Sequence, residues 1–161
     1  MSTLFDPAAF LDMPVDAPLE KRPPLPLQDY TATIQEVTAG QWQSKDKFNP
    51  DGTNKSGVKY DVKLQLEIPG EVQTQLGVEM PNMTLTDGIM LELNDNGQID
   101  TGLGKNRQLR NYREALDMNK PGESFRASAM VGRLIKVRIK HEIYPVGSDN
   151  IVEKVAGVAK V

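Results

Sequence analysis

A chain of 161 residues has the length of one ordinary domain and is too short for two independently cored ones. Its hydrophobic content of 39% is enough for a core, and 19 basic against 22 acidic side chains, a net charge of −3, exclude a uniformly basic coat for nucleic acid or membrane. The absence of Cys and the single His, His141, exclude disulfides and cysteine nucleophiles and leave little from which to build a metal centre or a Ser/His/Asp triad.

Residues 1–28 hold Pro7, Pro14, Pro18, Pro23, Pro24 and Pro26. This density predicts an extended arm outside the core, with one short helical piece, AAFLDM, capped by Asp6, opened by Pro7 and stopped by Pro14. From Tyr30 the pattern has period two, Tyr30, Ala32 and Ile34 on one face, which predicts a strand. The polar stretch QSKDKFNPDGTNKSG from Gln43 to Gly57 is expected to be a long loop. Val58, Tyr60, Val62, Leu64, Leu66 and Ile68 then alternate with Lys59, Asp61, Lys63, Gln65 and Glu67 in a second strand. Pro69 and Gly70 are expected to turn it into an antiparallel partner through Val72, Thr74, Leu76, Val78 and Met80, ended by Pro81.

A small hairpin is expected from IMLEL at Ile89, through the turn from Asn94, to a return at Gln98. The stretch KNRQLRNYREALDM from Lys105 places Leu109, Tyr112, Ala115 and Leu116 at helical spacing, and Asn119 to Gly122 stop it. A shorter helical turn is expected in SFRASAM from Ser124. Ile135, Val137, Ile139, His141 and Ile143 alternate with Lys136, Arg138, Lys140 and Glu142, and after a turn from Pro145 the segment IVEKVAGVAKV forms a last strand.

This order fits a five-stranded Greek-key barrel of the oligonucleotide/oligosaccharide-binding (OB) type, which places a helix between its third and fourth strands. An antiparallel β-sandwich with one helix is the alternative. The expected organisation is a mainly β domain over residues 29–161, preceded by the acidic, proline-rich arm of residues 1–28. No apolar run approaches the ~20 residues of a membrane span, and the N-terminus lacks the basic start and apolar core of a signal peptide, so a cytoplasmic location without membrane contact is expected.

Charge is unevenly spread: residues 1–30 carry −3, residues 31–100 carry −6 and residues 101–161 carry +6. Lys136, Arg138 and Lys140 share one face of one strand at about 7 Å intervals, a spacing that suits successive phosphates of an extended single strand. The same residues also serve a half-buried strand that must show water a polar face and resist edge pairing. The stretch around the expected loop contributes Trp42, Lys45, Lys47, Phe48 and Lys55, and the following strand Lys59 and Lys63, so that aromatic faces for bases lie beside cations for phosphates. Core packing is the competing reading for Trp42. Arg107, Arg110 and Arg113 read as a phosphate comb or, more simply, as the solvated face opposite Leu109 and Tyr112. His141, among apolar neighbours, reads as a satisfied core or rim histidine, and Asp87, Glu92, Asp95 and Asp100 as turn formers without acid/base or metal-ligand spacing. No enzyme activity, cofactor or metal is expected. In the arm, Phe5, Phe10, Leu11 and Met13 form an apolar face suited to docking on another copy or on a phage replication or capsid protein, or to covering an edge of the chain's own barrel.

The stretch RQLRNYREALDMNKPGESFRASAMVGRLIKVRIKHEIY, with the terminal VAGVAKV and with PLQDYTATIQEV from Pro26, resembles small bacteriophage proteins similar to OB-fold single-stranded DNA-binding proteins. In that group a helix reading like LRNYREAL is followed by a loop, a Val-Gly-Arg turn and two basic strands. The resemblance rests mainly on residues 26–38 and 105–161 and implies a host-cytoplasmic protein that binds single-stranded DNA in phage replication or recombination. One departure is plain: such proteins often end in an acidic tail that recruits partners, whereas here the acidic segment is N-terminal. The rival class is a structural or assembly protein of a virus particle, a decoration or adaptor lashed to its neighbours by the arm.

Overall fold

The computed structural model describes residues 4–161. In chain order the elements are helix α1 (Pro7–Leu11), strands β1 (Asp29–Phe48) and β2 (Asn54–Glu67), helix α2 (Gly70–Leu76), strand β3 (Asn82–Met90), helix α3 (Arg107–Ala115), a 3-10 turn (Ala127–Met130), and strands β4 (Leu134–Ile143) and β5 (Ile151–Ala159). The strands make one open antiparallel sheet in the order β3-β2-β1-β4-β5, so the protein is mainly β with a few short helices. Its two edge strands, β3 and β5, curl toward each other, and α3 packs against both. No helix among the described residues is long and apolar enough to cross a membrane.

Alternation decides which strand face is buried. Tyr30, Ala32 and Ile34 of β1, Val62, Leu64 and Leu66 of β2, and Ile135, Val137 and Ile139 of β4 all lie inside, as the period of two predicts. Leu109, Tyr112, Ala115 and Leu116 close one side of this core, and Met130 of the 3-10 turn fills it where Gly132 N–H donates to Ile34 O at 2.7 Å.

Four expectations are corrected. The segment expected as a strand over Val72 to Met80 begins as α2, and the antiparallel partner of β2 is β3, paired from Glu67 with Asn82 to Lys59 with Met90. Val72 and Leu76 are four apart, a spacing shared by strand and helix, and the helix buries both. Gly77, at φ 71, ends it in the left-handed region, and the Gln73 side chain ties the exit by bonding Ile68 O and Met80 N at 2.9 Å each.

The polar stretch 43–57 is also not a long loop. Strands β1 and β2 continue through it as a two-stranded ribbon, Trp42 facing Gly57 and Phe48 facing Asn54, leaving only Asn49 to Thr53 as the turn. Both faces of this ribbon are largely in water, so no apolar alternation marks it. The expected small hairpin is reduced to a single bridge, Leu93 with Ile99, because Ile89 and Met90 belong to β3. Its turn forms as expected, Asn94 Oδ1 accepting from Asn96 N and Gln98 N at 3.0 Å each.

Finally, the arm is not wholly outside the core. Leu25 is completely buried, its N–H donates to Glu153 Oε1 at 3.2 Å, and its carbonyl meets His141 Nε2 at 2.7 Å. Arg22 pairs with the same Glu153 carboxylate at 2.7 Å, and Tyr30 Oη donates to Pro26 O at 2.8 Å. The tail of the arm is thus pinned to β4 and β5, because a proline-rich chain can still spend one leucine on a core and satisfy its few backbone groups through side chains.

Candidate nucleic-acid interface

The register of β1, β2 and β3 collects residues on the sheet face turned away from the core. Glu36, Lys63 and Thr86 form one row across the strands, Thr38, Asp61 and Gly88 the next, and Gly40, Lys59 and Met90 a third; Trp42 and Gly57 complete the face at the root of the ribbon. Gly40, Gly57 and Gly88 open gaps among the side chains of this floor. A β-bulge between Ile34 and Glu36 creates the arrangement by shifting the pattern, so that Val37 faces inward and Thr38, Gly40 and Trp42 face outward.

Trp42 is seated directly on Gly57. A Cβ on Gly57 would lie 2.7 Å from the indole Nε1 and 2.9 Å from Cε2 and Cζ2, so only glycine admits the ring. The indole is half-buried and stands outside the core, and its Nε1 is buried without a hydrogen-bond partner among the described residues. Beyond it the ribbon tip exposes Lys45, Lys47, Phe48 and Lys55, with Phe48 55% exposed. The tip is braced by Ser44, whose carbonyl accepts from Asn54 Nδ2 at 2.7 Å and whose Oγ accepts from Lys47 N at 3.0 Å. Asp51 is consumed by the turn: Thr53 donates its hydroxyl at 2.6 Å and its N–H at 3.0 Å, which holds this carboxyl below the usual range.

The basic residues divide by whether an acid already holds them. On β4, Arg138 pairs with Asp29 at 3.0 Å and Lys140 with Glu142 at 3.0 Å, leaving Lys136, half-buried opposite Thr31, as the one cation of that row without an acidic partner among the described residues. On the ribbon and β2, Lys59 pairs with Asp61 at 3.1 Å, while Lys45, Lys47, Lys55 and Lys63 have no acidic partner among the described residues. The two groups are also apart. Thr31, beside Lys136, precedes Trp42 by eleven positions, about 36 Å along an extended strand and somewhat less through the bulge. The ten candidate residues therefore do not make one patch. Trp42, Lys55, Lys59 and Lys63 share the outer face of the ribbon and β2, Phe48 pairs with Asn54 on the ribbon's other face, and Lys136, Arg138 and Lys140 lie on β4. The cations without acidic partners among the described residues are mostly those of the ribbon and β2.

Other charged positions are occupied structurally. Arg113 stacks 4.5 Å over Phe125 and donates to Met118 O at 3.1 Å, and Arg110 lies 3.8 Å from Glu114, so α3 presents no comb of free arginines. His141 is a satisfied rim histidine. Asp100 forms a turn by accepting from Gly102 N at 2.8 Å, but Asp87 is not a turn former. It sits within β3, where burial pushes its carboxyl up against the opposing pull of hydrogen bonds from Tyr112 and Gln108 and of the Lys140 and Lys154 charges. Tyr112 Oη donates to it at 2.6 Å, and burial together with that carboxylate drives the phenol far above its ordinary range.

Sequence reasoning missed Gly40, Gly57, Gly88 and Met90 of the floor and Asn106 at the start of α3. Asn106 is 7% exposed and closes the excursion after β3, its side chain bonding Glu92 N, Glu92 O and Asp100 O at 2.8, 2.9 and 2.8 Å. The glycines carry no signal until the strand register aligns them. In the arm, Phe5 and Phe10 stack on each other at 5.1 Å, and they, Leu11 and Met13 are all exposed. Comparison of the chain with family models and with curated proteins finds no match.

Proposed function

We propose that this chain is a non-enzymatic single-stranded DNA-binding protein of the phage replication and recombination type, built on an OB-like barrel. Strand order supports the fold reading: closing the sheet between β3 and β5 produces the circuit of a five-stranded Greek-key barrel, with α3, from the connection between the third and fourth strands, packed on that seam. Barrels of that type bind through the outer face of strands 2 and 3 and the connection between strands 1 and 2. The observation that carries the proposal is that this same region holds Trp42 seated on Gly57, Met90 at the end of β3, and four lysines, Lys45, Lys47, Lys55 and Lys63, without acidic partners among the described residues. Bases stack on the indole, with Phe48 a second ring on the ribbon's other face, while Lys45, Lys47, Lys55 and Lys63 follow the phosphates and Lys59 joins them on leaving Asp61, a combination that tolerates any sequence. The β4 patch contributes less, because contact with Arg138 or Lys140 first requires displacing Asp29 or Glu142.

The test is fluorescence anisotropy with labelled oligo-dT and with duplex across a salt series, on the parent and on Lys55→Glu with Lys63→Glu. The parent prefers the single strand, and the double variant binds more weakly with a salt slope shallower by about 0.7 for each phosphate it no longer neutralises. Equal binding by variant and parent overturns the assignment of the ribbon. No binding by the parent at low salt overturns the function and favours the rival reading, an assembly or decoration protein of a virus particle, for which the exposed apolar arm is the supporting observation.

A further inference from the structure

Away from the ribbon, the outer faces of β1, β4 and β5 enclose a cavity of about 210 Å³, lined by Asp29, Lys136, Arg138 and the β5 stretch from Gly157 to Ala159. Strand register explains the space. Arg138 stands between Asp29 and Gly157, and Lys136 between Thr31 and Ala159, so each cation has a β5 neighbour with almost no side chain. A Cβ on Gly157 would meet nothing within 4 Å. The β4–β5 register shifts beside it, leaving Ala156 as an extra residue that bends the strand here.

On these three strands the outward charges are Lys136, Arg138, Lys140 and Lys154 against Asp29 and Glu142. The two acids hold Arg138 and Lys140, and Lys136 and Lys154 have no acidic partner among the described residues. Asp29 is the group that stands in an anion's way. Its Oδ1 accepts from Arg138 Nε at 3.0 Å and its carboxylate borders the cavity, so it covers one edge of the guanidinium with negative charge. The main chain keeps it there: Tyr30 beside it is buried, and Ile139 N donates to Gln28 O at 3.4 Å. The pair itself is weak, because the Arg138 side chain is 70% exposed and water screens it. A phosphate offers the guanidinium two oxygens at once, the arrangement that an arginine fork binds best.

We infer that this cavity is a phosphate site with a built-in competitor: a phosphate group takes the edge of Arg138 that Asp29 holds, with Lys136 as the second cation. The phosphate comes from the backbone of a single strand that extends beyond the ribbon, in which case the inference rests on the function proposed above, or from a free polyphosphate, in which case it does not.

The experiment is a double-mutant cycle over Asp29→Asn and Arg138→Gln on the full chain. Two probes are used: a long labelled oligo-dT followed by anisotropy across a salt series, and tripolyphosphate followed by the NMR shift of the Gly157 amide. Asp29→Asn tightens binding about two- to fivefold, the worth of an exposed ion pair that no longer has to be broken, and steepens the oligo-dT salt slope by about 0.7. With Arg138→Gln already present the same substitution gains clearly less, since Asp29 then has no guanidinium to hold. Asp149→Asn, the same change of charge at an exposed residue of the hairpin turn, binds like the parent. An Asp29→Asn variant that binds no tighter than the parent, or that gains equally with and without Arg138, overturns the inference. If the parent binds no oligo-dT, the function proposed above fails and tripolyphosphate decides alone: a Gly157 shift that saturates earlier in Asp29→Asn upholds the site, and no shift overturns it. Both side chains point away from the core, so the melting temperatures match the parent; if one falls, Asp29→Ser and Arg138→Met replace the pair and the same outcomes apply.

Discussion

Replacing Gly57 with Ala tests the geometry on which the ribbon depends. The new methyl would stand 2.7 Å from Trp42 Nε1 and 2.9 Å from two ring carbons, whereas apolar atoms rest about 3.5–4.0 Å apart. Either the indole lifts by about 1 Å or the ribbon splays. Backbone conformation adds nothing to the cost, because Gly57 does not occupy the left-handed region. Overpacking of this kind costs about 1–3 kcal/mol in a well-packed core, and the low end applies to a half-buried ring on a ribbon that can yield. In a domain of this size that corresponds to a loss of about 2–4 °C in melting temperature for each kcal/mol. As Trp42 is the only tryptophan, its emission reports the site directly. The variant's emission shifts to the red and its quenching by acrylamide rises, as the buried Nε1 reaches water. Gly40→Ala is the control, because a Cβ there meets nothing within 4 Å, and its emission matches the parent. If Gly57→Ala leaves emission and quenching unchanged, the ring is not seated on Gly57 and the platform argument fails.

Two further outcomes follow from the fold. Leu25→Ala removes a completely buried side chain from the anchored end of the arm and lowers stability by about 2–5 kcal/mol, read as a clear fall in melting temperature; an unchanged melt would mean that the arm is not pinned where Leu25 lies. Asp87→Asn concerns a carboxyl raised by burial, so the native state holds its proton more tightly than the unfolded chain, and the associated stability is present below the ordinary carboxylate range and lost as pH rises through the raised value. Asn keeps an acceptor for Tyr112 Oη and carries no charge. The variant is therefore the more stable at pH 7, and its advantage disappears at acid pH in melts run from pH 3 to 8; a variant less stable than the parent at neutral pH refutes the assignment of burial as the dominant cause.

The legible parts of the chain were those where one face is buried by the sheet itself. Tyr30, Ala32 and Ile34, the Val62 to Leu66 alternation and Ile135 to Ile139 had to be apolar at every second position, and the Leu109, Tyr112 and Leu116 spacing had to follow a helix. Where burial does not enforce a period, the reading failed. Lys45 to Lys55 look like a loop because a ribbon in water needs no alternation, and Val72 with Leu76 satisfy strand and helix alike.

Sequence by itself thus determined a mainly β domain with one principal helix, the inward set of its strands, the capped helix of the arm, and the presence of lysines near Trp42. Only the tertiary structure decided which lysines are available, since Asp29 and Arg138 are 109 positions apart and meet only when β1 pairs with β4. It alone placed Trp42 on Gly57 and pinned Leu25 through Glu153. Those relations come from strand register and chain reversal, which bring distant residues within a few ångströms, and local composition carries no record of such distances.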